Sequence, residues 1–320
     1  FAAFDGTQIG ALTTTQLRGV TAAQLAALTE TDINEFSATQ IGALVGAQLG
    51  ALSSTQLSAL TADQSAGLTT TQMTWLNSTQ IRGLESTLIT QFSTTQLGAL
   101  SATQMAAFSS TGLSALDADQ VAALTQTQIR GLTSTQLAGL DTTDLAELTS
   151  THIAGLTRTQ VLGLTATQVS ALDATQVAGL TASSLQALTA AQLGALTSDD
   201  IAELSSTQIG QLTAPQIGQL TETAFSALSS TQMAALSVTQ IRGVTATQIG
   251  ALTADDVAEL TTTHIANLSA TQLSAFTTTN ITALSTTQLG ALSASQIGLL
   301  NATNLSALDA NQVAALTATQ

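Results

Sequence analysis

An eight-residue unit recurs without a break from Asp5 to the last residue, Gln320, and this constrains the fold more than anything else in the chain. A typical octad is Ser205-Ser206-Thr207-Gln208-Ile209-Gly210-Gln211-Leu212. Position 1 is Thr, Ser, Asp or Asn in 38 of 40 octads, Val45 and Glu85 being the exceptions. These short oxygen-bearing side chains are the preferred helix N-caps, because they accept from the free N–H groups of the first turn. Position 4 is Gln in 28 of 40 octads, which completes a capping box by returning to the backbone N–H of the cap. Position 8 is always Leu, Val or Phe, and position 5 is aliphatic, Met or Phe apart from Ser65. An apolar residue just before the cap and another at the fourth helical position form a hydrophobic staple. Each octad therefore carries the start signals of its own short helix. Pro215 falls at position 3, inside a first turn, where Pro is tolerated.

Geometry argues against the alternatives. A continuous α-helix advances about 100° per residue, so the apolar positions of an octad would wind around the rod instead of forming a seam. In a strand, positions 5 and 8 would point to opposite faces. A β-solenoid with a corner in each octad is the alternative fold, but Ala, Leu and Gln are helix formers and hairpin turn signals are missing. The expected fold is all-α: a solenoid of very short capped helices, one per octad, with positions 5 and 8 as a continuous interior. A single-turn helix cannot stand alone in water, so stability must come from stacking on neighbours. Residues 1–320 read as one continuous array, with no linker or composition shift to mark separate domains. Phe1–Phe4 and Thr317–Gln320 read as complementary half-octads, from which a window of a longer array or end-to-end stacking of copies is expected.

A longer period underlies the octad. Asp32, Asp144, Asp200 and Asp256 are separated by multiples of 56 residues, and Glu35, Glu147, Glu203 and Glu259 repeat with them. Arg18, Arg130 and Arg242 are 112 apart, as are His152 and His264. Either the array grew by duplication of seven-octad blocks, or seven octads complete a whole number of superhelical turns.

The net charge is −15, with 20 acids against 5 arginines and no Lys. Nucleic acid and anionic membrane surfaces are poor partners for such a chain, since phosphate binding needs basic patches. No apolar run is long enough to span a membrane. Without Cys there is neither a disulfide framework nor a thiol site. The Asp-x-x-Glu pairs place two carboxylates on one helix face. Asp144, Glu147, Asp200, Glu203, Asp256 and Glu259 are thus the candidate cation ligands, with Ca²⁺ the ion that such oxygen donors would suit. The alternative is a solvated polar face on which Asp serves as a capping acid. His152 and His264 occupy the Gln slot, where a neutral imidazole can cap in its place. Trp75, the only Trp, replaces the small residue of position 7 and either fills a gap or sits exposed. Nothing resembles a nucleophile elbow, and an even carboxylate ladder offers no single glycosidase cleft. No enzyme and no obligatory cofactor are expected.

The octad of Leu204 to Leu212 resembles the Leu/Thr/Gln-rich octapeptide arrays of very large bacterial exported or surface proteins, often described as adhesin-like or haemagglutinin-like. The resemblance covers the whole chain at the level of the repeat. It implies a structural role outside the cell and no active site. The opening of the TAL-effector repeat is also similar, but the rest of that repeat and its basic character are missing, so DNA reading does not carry over. The expected function is an extracellular fibre, stalk or adhesin shaft that self-associates into a filament or longer array. A repetitive surface binding Ca²⁺, ice or a surface glycan is the alternative.

Overall fold

The computed structural model describes residues 4–320; Phe1, Ala2 and Ala3, and with them most of the amino-terminal half-octad, lie outside the described residues. Among the described residues there are 39 helices and no strand, from Gly6–Gly10 to Ala310–Ala314. There is one helix per octad, each of only four to six residues. The all-α solenoid is the fold, and the β-solenoid is not. The described chain falls into two compact units, Phe1–Leu164 and Thr165–Gln320, built in the same way.

The local structure follows the octad position by position. In the helix Gln126–Gly131, Thr125 has extended backbone and its hydroxyl accepts from the Gln128 N–H. The Gln128 amide oxygen in turn accepts from the Thr125 N–H at 2.8 Å. Every helix has an N-cap side chain bonded in this way except the two that begin after Val45 and Glu85. Val45 has no oxygen to offer, and there only Gln48 contributes, accepting from the Val45 N–H at 3.0 Å. The helix ends when the position 8 N–H turns back to the position 5 carbonyl, as Leu132 does to Ile129 at 3.1 Å.

The corner between helices is made by two successive extended residues. Leu132 has φ −62° and ψ 139°, and Thr133 has φ −78° and ψ 155°. No described residue has positive φ, so no corner depends on the freedom of glycine. Glycine is needed instead where turns of the coil meet. A Cβ on Gly131 would collide with the backbone of Ala102, and one on Gly243 with that of Ala214. Both glycines occupy position 7 and lie against position 2 of the octad three earlier, which explains why small residues dominate these positions.

The register between turns comes from hydrogen bonds and packing within each unit. Gln128 reaches back 31 and 28 residues to the carbonyls of Leu97 and Leu100. Arg130 reaches forward 25 residues to the carbonyl of Gly155. The helix Ala38–Ala43 packs on Ala62–Gly67, three octads further on, and Ala214–Ile217 packs on Val238–Gly243 in the same way. One turn of the coil therefore takes about 28 residues, or three and a half octads. Seven octads make two turns, so within a unit residues 56 apart return to the same side. The 56-residue spacing of the sequence is a structural period as well as whatever record it keeps of duplication.

Positions 5 and 8 line the interior as expected, Ile129 being wholly buried and Leu132 buried as well. Ser65, the polar exception at position 5, is buried too, and its hydroxyl has no hydrogen-bond partner. Phe225 is wholly buried beside Ala224, which occupies the Gln slot of that octad.

Candidate functional site

The element with the most demanding chemistry is the position 4 amide, and its second role was not read from the sequence. One end of Gln160 completes its own capping box, with Oε1 accepting from the Thr157 N–H at 2.8 Å. The other end leaves the octad. Its Nε2 donates to the carbonyls of Ile129 and Leu132 at 2.7 and 2.8 Å, one turn back. Gln240 does the same to Ile209 and Leu212 at 2.9 and 2.8 Å. A one-turn helix leaves its last carbonyls without intrahelical donors. A single buried amide thus satisfies a free N–H at the start of its own helix and two carbonyls at the end of a helix in the preceding turn. Glu in this slot could cap but could not donate, which accounts for the preference for Gln.

The two histidines do the same with a ring. His264 Nδ1 accepts from the Thr261 N–H at 3.3 Å, and Nε2 lies 2.9 Å from the Leu236 carbonyl. His152 is placed equivalently between Thr149 and Leu124. Both bonds require the neutral tautomer with the proton on Nε2. Burial pulls the His264 pKa below its ordinary 6.5, against a smaller opposing pull from the Leu236 carbonyl. As pH falls the unfolded chain therefore protonates first. The contribution of His264 is fully present above the ordinary value and is lost as pH falls through it towards the lower folded pKa. Amide protection over the helix Thr262–Ala266, taken relative to the intrinsic exchange rate at each pH, should fall as pH is lowered from about 8 to 5, and His264→Gln should remove most of that dependence. Equal acid sensitivity in the variant would mean that other groups carry it.

Of the sequence-predicted acids, the aspartates cap and the glutamates crowd. Asp144 Oδ2 accepts from the Asp141 N–H at 3.2 Å and from the Ser114 hydroxyl at 2.6 Å. Asp200 pairs with Thr197 N–H and the Ser170 hydroxyl at 2.7 and 2.8 Å. Asp256 accepts from Thr253 N–H at 2.7 Å and from the Ser226 hydroxyl. The three serines stand 30 residues before their aspartates and are themselves 56 apart. Where the amide donor is lost, a hydroxyl from the preceding turn supplies a proton to the carboxylate. Asp is also shorter than Gln, and apolar cavities of about 20 Å³ are lined in part by Asp144 and by Asp200.

Glu147, Glu203 and Glu259 end their helices half-buried. Burial first, and then the neighbouring Asp144, Asp200 or Asp256, raises each carboxyl above its ordinary 4.5. The sign is opposite to that of His264: these three groups cost stability as pH rises through their raised values. Glu203 Oε2 and Glu259 Oε2 have no hydrogen-bond donor. No group of three or more Asp, Glu, His or Cys gathers in a metal-holding arrangement among the described residues.

Trp75 is exposed and lies over Gly46, where a Cβ would approach the indole to 3.4 Å. Among the described residues no helix is long and apolar enough to cross a membrane.

A family model described as the ALTTAQ repeat matches residues 225–262. Its name corresponds to positions 7 to 4 of the octad, and Ala187-Leu188-Thr189-Ala190-Ala191-Gln192 differs from it only by Ala190 in place of Thr. No curated protein matches the chain. The repeat and its regular short helices make this a structural repeat protein.

Proposed function

We propose that this repeat array is the shaft of an extracellular fibre, stalk or adhesin-like protein on a bacterial surface, without catalytic activity of its own. The observation that supports it best is the amide clamp. Each turn presents carbonyls on one side and amide donors on the other, so the contact between turns is head-to-tail. Heterologous contacts of this kind do not close and can be continued to any length. A shaft is lengthened by adding octads, with no new interface to evolve. The acidic surface without Lys or Cys fits an exported protein, and the resemblance to octapeptide arrays of large surface proteins points the same way.

Electron microscopy of the native protein, with protease shaving of intact cells, tests both parts. Thin threads lost on shaving are the expected result. A globular particle that survives shaving would overturn the proposal.

A further inference from the structure

Within each unit the fold places the charges on two sides of the coil. When the chain is divided into 28-residue turns counted from residue 1, 19 of the 20 acids fall within the first seven residues of a turn, Glu222 being the exception. The octad does not force this. Each octad position visits seven different azimuths before the pattern repeats, and the acids occupy several octad positions. Arg18, Arg130, Arg158 and Arg242 all fall on the eighteenth residue of a turn, half a turn from the acids, with Arg82 at the twenty-sixth. Four of the large exposed apolar residues join the arginines: Val45, Trp75, Leu162 and Leu299 occupy residues 17 to 22 of their turns. Of the others, Phe4 lies in the first turn, Leu305 in the last complete turn and Val313 in the incomplete turn after it. Both sides are present within the first unit by itself, where Arg18, Arg130 and Arg158 oppose Asp32, Glu35, Asp144 and Glu147.

The two sides are also in register. Arg18 precedes Asp32, Arg130 precedes Asp144 and Arg242 precedes Asp256 by the same 14 residues, half of the 28-residue turn. Each of these arginines stands half a turn, and so half the rise of one turn, before an Asp-x-x-Glu pair on the far side of its own coil. Sideways translation of a second, parallel copy, with a shift of half the rise of one turn along the axis, brings Arg130 of one chain against Asp144 and Glu147 of the next. In the same unit it brings Arg18 against Asp32 and Glu35. The Arg130 side chain is steadied by its Nε bond to the Gly155 carbonyl at 3.0 Å, and Arg242 by Asn267 Oδ1 at 3.0 Å.

We propose that the Arg and apolar side of this coil docks on the acidic side of a second, parallel copy, so that shafts associate laterally with a stagger of half the rise of one turn. The proposal rests on the structural-array reading but on neither its location nor its continuation lengthwise. Charge complementarity selects the opposite side of another copy over the same side, where arginine would meet arginine. Trp75, Val45 and Leu162 add apolar contact to an interface whose polar partners are set by translation. The contact is heterologous, so it yields rafts or bundles instead of closed dimers.

The 320-residue chain tests this by sedimentation velocity and disulfide trapping. Association is expected at about 0.01 M salt and monomer at about 1 M, where the screening length has shrunk tenfold. Arg18→Glu with Arg130→Glu should give monomer at both salts with an unchanged circular dichroism spectrum; both side chains are exposed. Because the chain has no Cys, an Arg130→Cys chain mixed with a Glu147→Cys chain should oxidise mainly to the mixed dimer. Predominant pairing of Arg130→Cys chains with themselves would overturn the proposal in favour of same-side contact. So would wild-type monomer at low salt, or association lost to a chelator of divalent ions but not to the Arg→Glu changes. Single unbundled threads in the microscope would sink lateral docking and leave the shaft standing.

Discussion

Gln128→Asp is expected to cost about 3 kcal/mol, and Gly98→Ser should restore a large part of it. Gln128 is buried, at 2% exposure. Its Oε1 accepts from Thr125 N–H and Thr125 Oγ1 at 2.8 and 3.1 Å, and its Nε2 donates to Leu97 and Leu100 at 2.7 and 3.0 Å. Aspartate retains the capping acceptor, as Asp144 and Asp200 show, but loses both donors. Leu97 O still accepts from Leu100 N–H at 3.0 Å, so the greater penalty falls on Leu100 O and on a carboxylate facing it. The chain already contains the remedy. Asp144, Asp200 and Asp256 each receive a serine hydroxyl from 30 residues earlier. For position 128 that residue is Gly98, and a Cβ there would meet nothing within 4 Å. The test is a double-mutant cycle, with Gly98→Ser alone as the control for helix propensity. Amide exchange over residues 97–132 is a better readout than a global midpoint, because turns of an array open locally. A coupling near zero would mean that the serine hydroxyl does not substitute for the amide.

The caps, boxes and staples were legible in the octad because they are local: every partner lies within four residues. Val45 and Glu85 stood out in the sequence, and they begin the two helices without a side-chain cap bond. The histidines in the Gln slot were likewise recognisable as surrogate caps. The second bond of Gln was not legible, because a capping box uses only Oε1 and leaves Nε2 unassigned. The signal was nonetheless present. A helix of five residues has more orphan carbonyls than its own cap can satisfy, and the side-chain donor that recurs in 28 of the 40 octads is the position 4 amide. The number of octads per turn could not be read from an eight-residue period, since nothing within one octad fixes the angle between successive helices. The 56-residue spacing offered whole turns per seven octads as one of two readings, beside duplication, and the 28-residue bonds give two turns. For the same reason Asp144 and Glu147 were recognised as a pair, while their placement opposite Arg130 was not: that relation exists only once the chain is wound at 28 residues per turn.

Phe225→Ala is expected to cost about 3–5 kcal/mol, at the upper end of what any single truncation in the array should cost. Phe225 is wholly buried, and Ala224 beside it is wholly buried in the slot that Gln fills elsewhere. The octad has exchanged volumes: the aromatic ring is larger than the usual aliphatic of position 5, and the side chain before it is smaller. Truncating the ring therefore opens space on both sides, with no Gln chain to settle into it. Ile241→Ala, at an equivalent position next to Gln240, leaves a smaller void and should cost less, about 2–4 kcal/mol. The exchange can also be reversed. In the register of the other clamps, a Gln at position 224 would face the carbonyls of Leu193 and Leu196. Ala224→Gln alone should destabilise by overpacking against the ring. Ala224→Gln combined with Phe225→Leu should return close to wild type, because volume and donors are restored together. Thermal unfolding by circular dichroism, with amide exchange over residues 193–228, would show it. If Phe225→Ala cost no more than Ile241→Ala, the pairing of Ala224 with Phe225 would be a coincidence of drift instead of a compensated substitution.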